Sequence, residues 1–288
     1  MRKSLLETVL DPERLSVRFQ PIFHIHGAVT QIHSLEALIR GPRGTNFERA
    51  DILFDYVRRK KAETAVDRSC FTAICGAAAH LPARFRINVN VHAATLGQTP
   101  GFVDFFRNQA EKHSLALDRF TVEIVEHAPT CNILGLIHSI TGLRDSGVRI
   151  ALDDVGLGQS NYRMMLDCHP EYFKLDAYFV QGLNADSNRR AVVESLLTLA
   201  EAMESSVVAE GVESKEDVSR LARMGVEFVQ ANILCAAMPL EDLRATGLLG
   251  GDTAASASVT GIAGPQNVEG FERDRQKLLV SAAKQLSH

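Results

Sequence analysis

Residues 147–160 read GVRIALDDVGLGQS. An apolar run over 148–152, broken only by Arg149, ends in the adjacent carboxylates Asp153 and Asp154, and a glycine-rich turn at Gly156 and Gly158 follows. That order describes a buried strand delivering charge to its C-terminal end, with a loop closing over it. Two neighbouring ionised side chains in a low-dielectric setting repel each other, and a cation is the usual compensation. Taken alone, the stretch reads equally well as a surface Asp-Asp turn. The flanking chain decides.

Upstream, the pattern predicts a short helix carrying Leu5, Leu6, Val9 and Leu10, then strands over 17–23 and 33–39. Pro21 within the first strand suggests a sheet edge or a strand end. Helices are expected over 46–62 and 64–80. Residues 85–91, FRINVNV, alternate Ile87, Val89 and Val91 with Asn88 and Asn90, a period of two. A helix over 101–113, a strand over 120–125 and a helix over 130–145 lead back to the opening stretch. Downstream come a short helix over 160–166, a strand over 172–176, a helix over 188–204 and a strand over 207–210. A helix over 214–224, with Ser214 as cap and Asp217 three residues on, precedes a last strand over 226–230. Strand and helix alternate from the second strand onward, so an eight-stranded α/β barrel is the economical solution. The alternative, a doubly wound open sheet, lacks a GxGxxG after a first strand and a Walker sequence. The expected organisation is a short N-terminal helix over 1–14, the barrel over 15–247, and a flexible linker over 248–288 with a helix-compatible segment at 271–286.

The 288 residues carry a net charge of -4, so no general attraction to nucleic acid, and no direct DNA binding, is expected. Without an 18-residue apolar stretch or a leader-like N-terminus, the chain reads as cytoplasmic with no membrane span. Five scattered cysteines without CxxC read as reduced thiols. His24, His26 and His33 do not read as a metal cluster, the HxH pair His24 and His26 reads as solvent-facing, and His92 and His127 each follow a candidate ligand strand.

Polar residues recur at strand ends: Glu36, Asn90, Glu123 with Glu126, Asp153 with Asp154, Lys174 with Asp176, Glu210 with Glu213, and Gln230. In a β/α barrel such ends converge on the face that holds the active site. Glu36, Asn90, Glu123, Asp153, Asp154 and Glu210 are hard oxygen donors, which favour Mg²⁺ or Mn²⁺ over structural zinc. Asp153 can bridge two ions while Asp154 serves the second, the arrangement for in-line displacement at phosphorus. Lys174 can orient a nucleophilic water or meet a phosphate, Asp176 can fix Lys174, and Glu210 or a neighbouring acid can take the water's proton. Arg40 can hold a phosphate bidentately. Gln230 can meet a base or a water, or serve as a core amide.

Together these residues resemble the EAL-domain family of cyclic-di-GMP phosphodiesterases. The naming motif stands as Glu36-Ala37-Leu38, within ExLxR at Glu36, Leu38 and Arg40. QPI from Gln20, VNV around Asn90, EIVE from Glu123 to Glu126, DDVGLG from Asp153, KLD from Lys174 to Asp176, AEGVE up to Glu213, and Gln230 continue the match. The resemblance implies a modified TIM (β/α)8 barrel with an antiparallel first strand, frequently a homodimer. It further implies hydrolysis of cyclic di-GMP to linear pGpG with two Mg²⁺ or Mn²⁺ ions, inhibited by Ca²⁺. By resemblance Glu36, Asn90, Glu123, Asp153 and Asp154 are the metal ligands and Lys174 the catalytic lysine. Glu210 takes the second-metal or general-base position, and Glu126 anchors the loop after the aspartates. Gln20, Leu38, Arg40, Asp176, Glu213 and Gln230 are assigned to the substrate.

The departures are specific. Val155 and Leu157 replace a phenylalanine and a threonine in the loop after the aspartates, and Val125 lacks a hydroxyl. His92 ends what is NLS elsewhere, and Ala231-Asn232 replace a glycine and an aromatic. None removes a ligand. Loss of the loop phenylalanine is expected to cost packing of about 1–3 kcal/mol and to loosen the second-metal aspartate. A cyclic-di-GMP receptor that hydrolyses poorly is therefore the alternative to an active enzyme. Regulation is expected from dimerisation, the C-terminal tail, or a sensory or regulatory partner chain.

Overall fold

The computed structural model describes residues 4–26, 29–125, 132–157 and 161–250. Eight strands close into a barrel in chain order: β1 (Ser16–His26), β2 (Val29–Arg40), β3 (Arg86–His92), β4 (Phe120–Val125), β5 (Arg149–Val155), β6 (Tyr172–Leu175), β7 (Ser206–Ala209) and β8 (Phe228–Val229). β1 runs antiparallel to β2 and β8, and the remaining neighbours are parallel. Only residues 27 and 28 separate β1 from β2, too few for a parallel crossover, so the antiparallel start follows from chain length. The expected modified TIM barrel is the observed fold.

The helices are α1 (Leu5–Val9), α2 (Ala50–Arg59), α3 (Glu63–Ala78), α4 (Ala93–Gln98), α5 (Phe102–Lys112), α6 (Ile133–Arg144), α7 (Asn161–Cys168), α8 (Ala177–Val180), α9 (Ser187–Ala202), α10 (Lys215–Met224) and α11 (Leu240–Ala245). The helix expected over 46–62 is instead a 3-10 turn at Asn46–Glu48 followed by α2. Ser214 caps α10 as expected, accepting from the Asp217 N–H at 3.0 Å. The segment at 271–286, Glu126 and His127 lie outside the described residues.

Pro21 is a correction: it sits inside β1, opposite Leu35, not at a strand end. The N–H groups of Phe19 and Ile25 point to the β8 side of β1, where they donate to Met238 and Glu227. By alternation the Pro21 nitrogen faces the same way, where β8 pairs only with Phe23 and His24. The missing donor therefore interrupts no ladder bond.

In β3 the alternation is turned inside out relative to an ordinary half-exposed strand. Ile87, Val89 and Val91 are buried and join the main core, while Asn88 and Asn90 bond into the barrel lumen. The lumen has an apolar floor of Ile22, Val208 and Phe228 with Tyr172 against it, and a polar layer above. With that end filled by apolar side chains, the polar layer faces the opposite end.

His24 and His33 pack at that floor, which for His24 corrects the solvent-facing expectation. His33 lies 4.2 Å from the Phe228 ring, His24 5.1 Å from it, and His33 Nε2 is 3.1 Å from the Tyr172 hydroxyl. Burial, with Arg86, His24 and Arg149 adding repulsion, lowers the His33 pKa from 6.5 to about 4. The unfolded chain takes up a proton that the folded His33 refuses between those values, so stability falls as pH drops from about 6.5 towards 4. The unscreened shift corresponds to about 3 kcal/mol, and partial exposure reduces it to about 1–2 kcal/mol. Urea melts should show wild type losing stability relative to His33→Phe as pH falls from 7 to 4, by about 1–2 kcal/mol. A stability difference independent of pH would refute this assignment.

Candidate active site

The polar layer centres on Lys174 of β6, which is 1% exposed. Its ammonium lies 2.6 Å from Glu123 Oε2, 2.5 Å from Glu210 Oε1, 3.4 Å from Asp153 Oδ1 and 3.5 Å from Glu36 Oε2. The carboxylates come from β2, β4, β5 and the residue after β7, so only barrel closure brings them together. Amides fix the ring. Asn90 Nδ2 donates to Glu36 Oε1 and Gln230 Nε2 to Glu36 Oε2, each at 2.7 Å. Asn88 Nδ2 donates to Glu123 Oε1 at 2.7 Å. Gln20 accepts from Gln230 at 3.1 Å and donates to Asn232 Oδ1 at 3.0 Å.

One lysine cannot neutralise four carboxylates. Burial would lower the Lys174 pKa, but Asp153, Glu123, Glu210 and Glu36 raise it well above the ordinary lysine value. Burial, then repulsion from Glu36, raises Glu123 well above the carboxylate range despite Lys174. Burial against the pull of Lys174, with Asp153 and Glu36 adding repulsion, brings Glu210 to about 8. Glu36 goes the other way: burial would raise it, and Lys174, Gln230 and Asn90 bring it down. The consistent state is a charged lysine with a proton shared among the carboxyls, held mostly by Glu123 and Glu210.

Asp153 and Asp154 sit in a bulge of β5, between the pairs Leu152↔Phe173 and Val155↔Leu175. Asp154 has φ +50, a conformation uncommon for a residue with a side chain and concentrated at functional sites. Burial, then Asp153 and Asp176, raise its pKa to about 6. Val155 is fully buried within the ladder, and a Cβ on Gly156, at φ +103, would stand 2.5 Å from the Phe179 ring. Val155 stays paired with Leu175, and Phe179 packs over the turn that follows.

Above the ring is a cavity of about 300 Å³ whose lining includes Glu36, Leu38, Arg40, Asn90, Asp153 and Asp154. Arg40 bonds only its neighbouring carbonyl, Ile39 O, at 3.0 Å and pairs with no carboxylate among the described residues, so its guanidinium is available to an anion. Asp176 does not reach Lys174 as expected. It caps α8, accepting from the Tyr178 N–H at 2.7 Å, because the chain turns into a helix at once. Glu213 is exposed on the loop after β7 and does not line the cavity.

Sequence reasoning missed Asn88, Asn232 and Asp67. Asn88 shares the period-two face of Asn90, a signal that was present. Asp67, 3% exposed on α3, was legible only as a lone acid between Val66 and Cys70.

Among the described residues, no three His, Cys, Asp or Glu side chains stand at metal-centre spacing; the lysine ammonium stands among the carboxylates. The donor set nevertheless suits a hard cation, since every candidate ligand offers carboxylate or amide oxygen. Asp153 Oδ1 and Glu210 Oε1 are buried without a hydrogen bond, although both are within ion-pairing distance of Lys174.

Residues 2–236 match the family model of the EAL domain. The chain belongs to the EAL family. It is 35% identical over 156 residues, 53% of this EAL chain and 30% of the other, to the probable cyclic di-GMP phosphodiesterase PdeG of Escherichia coli (strain K12). It is 28% identical over 251 residues, 83% of this chain and 31% of the other, to the cyclic di-GMP phosphodiesterase NbdA of Pseudomonas aeruginosa. The EAL chain thus spans about a third of the length of these relatives. Among solved structures, the PaMucR phosphodiesterase in complex with c-di-GMP superposes with a TM-score of 0.72 at 24% identity, covering 83% of this chain and 97% of that one. That likeness concerns the fold. No helix among the described residues is long and apolar enough to cross a membrane.

Proposed function

We propose that this EAL chain is a metal-dependent phosphodiesterase that hydrolyses cyclic di-GMP to linear pGpG. The observation that carries the reading is the ring of Glu36, Glu123, Asp153 and Glu210 around Lys174, at the end of the barrel opposite its apolar floor. Glu36, Asn90, Glu123, Asp153, Asp154 and Glu210 would hold two Mg²⁺ or Mn²⁺ ions. When bound, such ions polarise phosphoryl oxygens and acidify water. The chain supplies the rest. Arg40 presents a guanidinium to a phosphate, with Leu38 as apolar wall beside it. Gln230 and Gln20 hold Glu36 in place through their bonded chain. Glu210, its side chain 20% exposed beside Lys174, is placed to accept a proton from water once its own carboxyl is ionised. Lys174 keeps its charge and orients the water's oxygen.

The test is chromatographic detection of pGpG from cyclic di-GMP with Mg²⁺, with Mn²⁺ and with EDTA. Product with either metal and none with EDTA is expected. Micromolar binding without pGpG under either metal would replace the enzyme reading with that of a receptor.

A further inference from the structure

β8 ends after two residues, and the chain beyond it turns back to lie against β1. The Leu234 and Cys235 N–H groups close the turn on Ala231 O, and Phe19 and Met238 exchange both backbone hydrogen bonds, at 2.8 and 3.1 Å. That crossing sets two oxygens against the Gln20 side chain. Gln20 Nε2 donates to Asn232 Oδ1 at 3.0 Å and to Cys235 O at 3.5 Å, which leaves its Oε1 for Gln230. Gln230 Nε2 spends one N–H on Gln20 Oε1 at 3.1 Å and the other on Glu36 Oε2 at 2.7 Å. An amide has a donor end and an acceptor end, so this chain of bonds has a direction. It runs from exposed Asn232 to Gln20, Gln230 and Glu36, all buried.

Resting on the metal-dependent reading above, we infer that Asn232 is a positioning residue for the candidate metal ligand Glu36, acting through Gln20 and Gln230. Turned end for end, Gln20 would set its amino group against that of Gln230. Gln230 would then have to reverse as well, which puts an amide oxygen against the Glu36 carboxylate. The two acceptors beyond β8 oppose the first reversal, and Asn232 Oδ1 is the closer of them. Glu36 thereby keeps an amide donor on each oxygen, Asn90 on Oε1 and Gln230 on Oε2. Groups that hold a metal ligand from behind are worth about 10–100-fold in metal affinity. Asn232 stands where the resembled motif carries an aromatic, so this amide oxygen is the chain's own feature.

Titration calorimetry of Mn²⁺ without nucleotide tests this on wild type, Asn232→Ala, Asn232→Asp, Gln230→Met, and Asn232→Ala combined with Gln230→Met. High salt screens the charge that aspartate adds. Position 232 is exposed, so its variants are expected to fold, with the melting temperature as the check. Asn232→Ala should bind Mn²⁺ roughly fivefold or more weakly, the worth of one hydrogen bond. Asn232→Asp, which keeps an acceptor for Gln20, should stay within about twofold of wild type. In Gln230→Met the chain of bonds is already cut, so adding Asn232→Ala should change nothing further. Three results would each overturn the inference: Asn232→Ala within about twofold of wild type, alanine and aspartate equally weakened, or the full alanine effect persisting in the Gln230→Met background. Wild type binding no Mn²⁺ would overturn the proposed metal dependence and this inference with it. Should Asn232→Ala not fold, Asn232→Leu removes the same acceptor and is held to the same thresholds.

Discussion

Lys174→Met should lower the melting temperature by about 8 °C while preserving the barrel's circular dichroism. The lysine is 1% exposed and is the cation against which Glu36, Glu123, Asp153 and Glu210 are arranged. Removing one member of a buried charge set leaves the others uncompensated, at a cost of about 3–5 kcal/mol. Proton uptake by Glu123 and Glu210, both already raised, softens the loss towards the lower figure. For a chain of this size each kcal/mol moves the transition by about 2–4 °C. Methionine keeps the stem volume, so the effect reports charge rather than a cavity. A change under about 2 °C would mean the carboxylates do not depend on Lys174.

Asp153→Asn should leave folding intact and reduce pGpG formation at least about a hundredfold. The substitution is isosteric, and the bulge holding the residue is anchored by Leu152↔Phe173 and Val155↔Leu175 on either side, so the backbone has no reason to move. What is lost is charge at a buried oxygen that points into the site without a hydrogen bond. Altering residues that merely support a metal ligand costs about 10–100-fold, and a ligand itself costs no less. Turnover within twofold of wild type, measured by product chromatography with Mn²⁺, would reject the assignment of Asp153.

Legibility differed by residue for identifiable reasons. Glu36, Asn90, Glu123, Asp153, Lys174 and Glu210 were readable because each ends or follows an apolar run, and in a β/α barrel strand ends share one face. Asp176 was misread because a residue two positions beyond Lys174 lies on the same side only if the strand continues; α8 starts at Ala177 and turns Asp176 into its cap. The missing aromatic at Val155 was legible in the sequence, but the packing around it was not. Phe179, from another element, covers the turn, and no local pattern announces that contact.

The sequence by itself determined the family, the strand–helix order and the identity of the polar strand ends. All of these follow from local periodicity, chain length between elements and short motifs. Only the tertiary structure decided which of those polar groups meet. The ring around Lys174 joins four strands or strand ends far apart in the chain, and the raised pKa values of Glu123 and Glu210 arise from burial and repulsion that exist only once the barrel closes. The DDVGLG stretch states the problem of two adjacent charges. Its solution, a bulge with Asp154 at positive φ beneath a packed aromatic, depends on β6 and Phe179, and those reach it only through the fold.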